Sequence, residues 1–461
     1  MSAERLRVID RVVGHGIKAG GFPGAAVVVG RKGAAVWEKG FGHLDWLGSS
    51  PKVSATETIY DLASLTKVVG TTTAIMVLYD ERRIELDDPV SKYIPEFSGG
   101  YKDSVTIRLL LEHRSGLPAD RDLWRLASSP AEARQLVIST PLDYKPGTRY
   151  VYSDLGADML GFIVERITGE RLDQFLHERV YGPLGMTNTF FRPADSLKDR
   201  VAPTEVAPPR GYPLQGEVHD ENAYALGGVA GHAGLFSTAA DLSIFAQMIL
   251  NGGEYNGIRI ISDSTVDLFT KRAAGSRALG WAMADGQWGS GKFLSDEAFG
   301  HVGYTGTSLW IDPDREMFVI LLTNRVHAAR ARRPDKVIAD VRADLSDAAA
   351  LAVTDDPDQL LAMPASFRAD LARGWNKPER RVHPRHRRST HHSRASSRTH
   401  HSHTSTAKKS TSKSASKSVK KSASTKHSTA KAHGTTVKKS ASAAKKPAAK
   451  THASKKKATA H

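Results

Sequence analysis

The stretch Asp61-Leu-Ala-Ser-Leu-Thr-Lys67 runs directly into the mostly apolar VVGTTTAIMVLY of residues 68–79. It sets a hydroxyl and an amine three residues apart at the mouth of a helix about to be buried. Three residues is close to one helical turn, so Ser64 and Lys67 project from the same face. At a helix start, free N–H groups and the positive dipole end favour a developing negative charge. A lysine that is desolvated or crowded by cations can lose its proton near neutral pH and then take the serine's. The pattern predicts a nucleophilic pair, but the spacing alone carries little weight. Ser410-Lys413, Ser414-Lys417 and Ser442-Lys445 share it in a stretch with no apolar pattern.

The rest of the chain supplies the company that the spacing lacks. Tyr152-Ser153-Asp154 precedes a helical pattern with Leu155, Met159, Phe162 and Ile163 on one face. A tyrosine there can order the lysine and shuttle a proton, and the plain structural reading makes Asp154 the helix cap. Further on, FGHVGYTGTSLWIDP places His301 just before Gly303, where the last strands begin. A bare glycine lets a substrate carbonyl approach a strand edge, whose N–H groups can hold an oxyanion. The segment GEVHDENAYALGGVAGHAGLFST gathers His219, Asp220, Glu221 and His232 in one glycine-rich region. These are metal ligands, substrate contacts, or a lip held by local hydrogen bonds. The lip is the favoured reading, so no metal and no cofactor is expected.

Strand signals sit at both ends and helical ones in the middle. AAVVVGRKGAAVWEKGFG reads as a hairpin turning at Arg31-Lys32-Gly33, and SLWIDPD with MFVILLTN as two strands joined at Pro313-Asp314-Arg315. From residue 64 to about 250 the chain reads mostly as helices and loops, and DKVIADVRADLSDAAAL as a late helix. The expected class is α+β: one antiparallel sheet built from both termini, covered by the terminal helices, beside a helical lobe at about residues 70–250. A cleft between the two is the natural ligand site. A catalytic domain is expected over residues 1–355, a linker over 356–378 and a disordered tail over 379–461.

Together these segments resemble the serine β-lactamase and penicillin-binding-protein superfamily, especially its class C-like and esterase branch, over residues 5–345. Ser64 and Lys67 match S-x-x-K, Tyr152-Ser-Asp154 matches Y-x-N, and His301-Val-Gly303 matches K-T-G, often H-x-G in the esterase-like branch. LLEHRSGLP, YGPLGMTNT and LFSTAADLSIFAQMILNGG resemble connecting segments of that family. The resemblance implies a serine hydrolase working through an acyl-enzyme. Ser64 would attack an acyl carbonyl while Lys67 and Tyr152 share its proton. The N–H groups of Ser64 and Tyr304 would hold the oxyanion, with Asp154, Gly303 and His301 around the substrate. Segments like the His219–His232 region recur in relatives of cell-wall muropeptide amidases, which implies an N-acetylmuramoyl-peptide substrate as well as simpler esters.

Three departures qualify the match. Asp154 replaces an asparagine, and an ionised carboxylate there would keep Lys67 protonated, leaving Tyr152 as the base unless Asp154 points elsewhere. His301 replaces a permanent cation with one that is partly neutral at pH 7. Val302 and Tyr304 remove the hydroxyls that the K-T-G-S version offers to a β-lactam carboxylate. The changes point away from antibiotic destruction and towards an esterase or amidase. G-x-S-x-G, H-E-x-x-H and the P-loop pattern are all absent from the sequence.

The chain has 461 residues, no cysteine and a formal charge of +16. Disulfides, thiolate metal sites and a cysteine nucleophile are thereby excluded. From Arg380 onwards there are 7 Arg, 16 Lys and no acid, so that segment carries +23 and the remainder −7. Such a lysine-, serine-, alanine- and histidine-rich tail is expected to be disordered and to bind polyanions such as DNA or wall polymers through counterion release. A protein of a different class would follow if the body were an inactive scaffold for that binding. The start, MSAERLRVIDRVV, reads as an amphipathic helix and not a secretory signal, so a cytoplasmic location is expected, or a periplasmic one if the true start lies elsewhere.

Overall fold

The computed structural model describes residues 1–377 apart from 288, 328–332 and 356–359. The expected tail, 379–461, lies outside the described residues. Eleven strands are present among them: β1 Gly24–Arg31, β2 Ala34–Gly42, β3 Tyr60–Asp61, β4 Phe190–Phe191, β5 Leu235–Ser237, β6 Glu254–Tyr255, β7 Ile258–Arg259, β8 Ala282–Met283, β9 Phe299–Val302, β10 Ser308–Asp312 and β11 Met317–Thr323. The main sheet has the order β2-β1-β11-β10-β9-β8 and is antiparallel throughout. Both termini build it, as the strand signals predict. The turn at Arg31-Lys32-Gly33 joins β1 to β2, with Lys32 and Gly33 at φ 51° and 80°.

The apolar runs of β1 and β11 are explained by burial on both faces. In β1, Ala26 and Val28 point into one core, while Ala25, Val27 and Val29 point into the other. In β11, Phe318, Ile320 and Leu322 face the first core, and Met317, Val319 and Leu321 the second. The second core is closed by the helices Val8–Lys18 and Pro334–Leu351, through Ile9, Val12, Val13, Val337, Val341 and Leu345. The first core joins the sheet to the helical lobe. Its centre is the segment after Ser64, whose residues 67–78 are all buried.

Two details differ from the sequence reading. The helical stretch from 64 to 250 also contributes two strands, β4 and β5, to a small sheet of order β3-β5-β4. Its strands are two or three residues long, too short to leave a period-2 signature, yet they bring residue 235 against residue 62 (Leu62 N–H to the Leu235 carbonyl, 2.9 Å). In addition, the described part of the expected linker packs on the body. Phe367, Ala369 and Trp375 are buried in the second core, and the Trp375 indole donates to Asp340 Oδ2 at 2.8 Å. Arg368 pairs with Asp344 and Asp347 on the last long helix. A few apolar anchors widely spaced in a polar stretch do not read as an element.

Removing the Trp375 ring should therefore cost stability as a core truncation does. Trp375→Ala is expected to lower the unfolding free energy by about 3 kcal/mol in urea titrations of the full chain. An unchanged midpoint would mean that residues 360–377 contribute no packing.

Candidate active site

The turn that carries Ser64 is clamped from several sides. Ala63, just before it, sits at φ 47°, a conformation a non-glycine residue adopts only when its surroundings impose it. The clamp starts at Asp61, which is buried. Its Oδ1 accepts the Ala63 N–H at 2.8 Å and its Oδ2 the His219 N–H at 2.7 Å. Thr305 Oγ1 donates to the Asp61 carbonyl at 2.7 Å, and Thr307 Oγ1 to the Leu62 carbonyl at 2.9 Å. Ser64 then lies in a 3-10 turn, Ala63–Leu65, followed by a π-helical turn, Lys67–Thr72, before the α-helix Thr73–Asp80. The expectation of a plain helix start is corrected accordingly.

Lys67 is 3% exposed and has three close oxygen neighbours. Its Nζ donates to Ser64 Oγ at 3.0 Å and to the His232 carbonyl at 3.2 Å, and it lies 2.7 Å from Asp154 Oδ1. Tyr152 closes the fourth side, its ring centroid 4.8 Å from Nζ. Burial alone pushes the amine down, but Asp154 and the Tyr152 oxygen outweigh it and hold Lys67 above its ordinary value. The reading of Lys67 as a neutral base is thus corrected, and of the two options for Asp154 the one facing the lysine is realised. The reading of Asp154 as the cap is corrected too. Ser153 caps the helix Asp154–Thr168 by accepting the Gly156 N–H at 3.1 Å, which leaves the Asp154 carboxylate free.

Tyr152 is held between two histidines, with ring centroids 4.6 Å from His113 and 5.9 Å from His301. His113 Nδ1 accepts the Ser153 N–H at 3.1 Å, so that nitrogen carries no proton. His301 Nδ1 lies 2.9 Å from the Val302 carbonyl, which can only accept, so its proton is on Nδ1 and Nε2 keeps a lone pair. Burial pushes both rings well below the usual histidine range, and the Arg277 and Lys67 charges push them further. Position 301 therefore offers a neutral acceptor where the family pattern has a cation.

Ser64, Tyr152, His301, Gly303 and Tyr304 line one cavity of about 250 Å3. The N–H groups of Ser64 and Tyr304 make no hydrogen bond among the described residues. A Cβ on Gly303 would come within 2.3 Å of the Leu62 carbonyl oxygen, so only glycine lets β9 approach the nucleophile turn this closely. Arg342, from the last long helix, donates to the Gly303 and Thr307 carbonyls at 2.7 and 2.9 Å and braces that edge.

The lip residues divide by role. His219 stacks on Tyr304 (5.7 Å between centroids) at the cavity rim, and its Nε2 lies 2.9 Å from Glu205. Asp220 caps the short helix Glu221–Ala225 through the Ala223 N–H at 2.8 Å, and Glu221 opens that helix. His232 bridges two carboxylates, Nδ1 to Asp158 Oδ1 at 2.7 Å and Nε2 to Asp220 Oδ1 at 2.9 Å. Burial alone would raise Asp220, yet the His232 charge and hydrogen bond hold it below the usual carboxylate range, so it accepts from Nε2, whereas burial pushes Asp158 up. Burial disfavours the imidazolium, but Asp158 and Asp220 outweigh it and raise His232 well above its ordinary value. This charged string fixes the carbonyl that Lys67 donates to. Asp61, His113, Asp158, Arg277 and Arg342 escaped the sequence reading. Asp61 stands inside the decisive stretch, but nothing in the local pattern marks it as a clamp.

The fold and the serine–lysine–tyrosine cavity define a class, the serine hydrolases of β-lactamase fold, and the comparisons agree. The Beta-lactamase family model matches residues 9–343, so the chain belongs to that family and is a serine hydrolase. It is 34% identical over 366 residues to the Escherichia coli (strain K12) protein named "Putative D-alanyl-D-alanine carboxypeptidase", covering 71% of this chain and 84% of that one. It is 35% identical over 363 residues to the "N-acetylmuramyl-L-alanine amidase" of Bacillus subtilis (strain 168), covering 71% and 82%. Among solved structures, EstCE1, "a hydrolase with promiscuous acyltransferase activity", superposes with a TM-score of 0.60 at 24% identity, over 74% of this chain and 98% of that one. A penicillin-binding-protein homologue from Caulobacter crescentus gives 0.60 at 23% identity, over 77% and 99%. At that identity the two structures speak for the fold alone.

The His232 bridge gives a pH signature with a definite sign. A histidine raised in the folded state adds stability that is full below about pH 6.5 and is lost only as pH rises through the raised value. Nitrogen NMR should show both ring nitrogens of His232 protonated at pH 7.5, and Asp158→Asn should move the alkaline loss of stability to lower pH. A neutral His232 ring at pH 7.5 would contradict the bridge.

Proposed function

We propose that the protein cleaves an amide bond of an N-acetylmuramoyl peptide through an acyl-enzyme on Ser64. One observation carries the reaction type: Ser64 Oγ sits 3.0 Å from the buried Lys67 amine, Ser64 lines one cavity with Tyr152 and Tyr304, and the Ser64 and Tyr304 N–H groups are unbonded among the described residues. The substrate class draws on the two relatives named for peptidoglycan bonds, which this chain matches over more than four-fifths of their length. The neutral His301 and the methyl groups of Val302 weigh against a β-lactam.

With Lys67 held as an ammonium by Asp154, the base is Tyr152 acting in its deprotonated form, its ring centroid 4.8 Å from the lysine Nζ. It takes the Ser64 proton as Oγ bonds to the scissile carbonyl carbon. The resulting oxyanion is held by the N–H groups of Ser64 and Tyr304. Tyr152 then gives its proton to the leaving nitrogen, the C–N bond breaks and the peptide amine departs. A water loses its proton to Tyr152 and attacks the acyl carbon, and Ser64 Oγ leaves with that proton. Lys67 stays charged throughout, so it orients the serine and stabilises the phenolate without titrating.

Release of L-alanine from N-acetylmuramoyl-L-alanine, followed together with fluorophosphonate labelling by mass spectrometry, tests the reading. Wild type should be labelled on Ser64 and turn the substrate over. Ser64→Ala should lose the label and on the order of 1,000-fold or more in kcat/KM. Undiminished hydrolysis by Ser64→Ala would sink the proposal. Asp154→Asn removes the carboxylate that raises Lys67 and should bring the titration of Lys67 to lower pH, read by carbon-13 NMR of the lysine ε-carbon.

A further inference from the structure

A second and larger cavity adjoins the lip. It encloses about 620 Å3, against about 250 Å3 for the cavity that holds the nucleophile, and the two share no lining residue. The lip segment borders both. His219 stacks on Tyr304 at the catalytic rim, while Val218 and Tyr224, on either side of it in the chain, line the second cavity. Trp124, from the short helix Leu123–Leu126, lines it as well, and its backbone N–H donates to Asn222 Oδ1 of the lip at 3.4 Å.

The lining has a definite chemistry. Tyr224 is 41% exposed and Trp124 is half-buried, so neither ring is used up in the core. A guanidinium holds each ring in place, Arg210 at 4.5 Å from Tyr224 and Arg125 at 4.4 Å from Trp124. The charges of the lining balance. Arg192 pairs with Asp173 at 2.8 Å and Glu217 with Arg210 at 3.4 Å, which leaves one cation, Lys198, and one anion, Asp195. The Trp124 indole N–H, the Tyr224 hydroxyl, Gln215 Oε1, the Lys198 ammonium and the Asp195 carboxylate make no hydrogen bond among the described residues.

Fixed rings beside unused donors and acceptors, with no net charge, do not suit a polyphosphate or a lipid chain. They suit a sugar, whose C–H face packs on an aromatic face while its hydroxyl and amide groups both donate and accept. Size points the same way. Sites for molecules of several rings enclose roughly 300–1,000 Å3. The second cavity falls within that range and the catalytic one below it.

We propose that the second cavity is a saccharide site in which Trp124 and Tyr224 stack on uncharged pyranose rings. Its occupant is a chain of N-acetylated hexosamines. That choice of sugar rests on the peptidoglycan reading, but the preference for an uncharged sugar is a property of the cavity and can be measured without turnover.

The probe is N,N′-diacetylchitobiose, a disaccharide without a peptide, titrated into the full-length protein and read by calorimetry. A Kd of about 1 mM or tighter is expected. Trp124→Ala and Tyr224→Ala should each weaken binding by about fivefold or more, and Trp124→Phe, which keeps a ring, by less than Trp124→Ala. Tyr224→Ala lies at an exposed position and should leave the unfolding midpoint within about 2 °C of wild type, so lost folding would not account for lost binding. No binding at about 10 mM disaccharide would overturn the proposal. So would a Kd unchanged by either alanine variant, or tighter binding of N-acetyl-trialanine amide than of the sugar. The amidase reading fails separately. If the disaccharide binds while N-acetylmuramoyl-L-alanine is not hydrolysed, the saccharide site stands alone, and turnover without disaccharide binding removes only the saccharide site.

Discussion

The site is organised by one buried charge, the Lys67 ammonium. It has left water, so its cost must be met by fixed partners, and the chain supplies a carboxylate, a hydroxyl, a carbonyl and an aromatic face. Each partner comes from a different part of the sequence. Ser64 belongs to the same turn, Tyr152 and Asp154 to the start of a lobe helix, and His232 to the segment leading into β5. Satisfying this one ammonium thus holds three segments in register around the nucleophile.

The same logic extends outward. His232 can present its carbonyl because its own charge is held by Asp158 and Asp220, and Gly231 packs so tightly on the Asp154–Thr168 helix that a Cβ would lie 2.0 Å from the Ala157 carbonyl oxygen. On the other side, Asp61 ties the nucleophile turn to the lip through His219, while Thr305 and Thr307 tie it to the β9–β10 connection. Around the serine stand one ion pair, Asp154 with Lys67, the two neutral histidines His113 and His301, and then the guanidiniums of Arg277 and Arg342. The arrangement keeps the two histidines neutral at physiological pH, so acid–base work falls to Tyr152.

The sequence was most legible where chemistry and periodicity coincide. The terminal sheet, the covering helices, the hairpin at Lys32 and the coming together of Ser64, Lys67, Tyr152, His301, Gly303 and Tyr304 all follow from apolar runs and three short motifs. What stayed hidden depends on distance in the chain. Arg277 and Arg342 are ordinary basic residues until the fold buries them without partners. Asp158 sits among the apolar residues of a helix and finds His232 only 74 residues later. The protonation of Lys67 could be posed as an alternative from the Asp154 substitution, but only geometry decides it, since one rotamer of Asp154 sets the sign. The anchoring of residues 360–377 was missed because three buried side chains in a polar segment carry no period.

The protonation state of Lys67 in the resting protein is the point on which the account turns. Carbon-13 NMR of the full-length protein labelled at the lysine ε-carbon, with Lys67 assigned by Lys67→Arg, measures it directly across pH 6 to 10. The account predicts a Lys67 resonance that stays in the ammonium position over the whole range. A Lys67 signal that titrates with a midpoint below pH 8 would contradict it and return the role of base to the lysine.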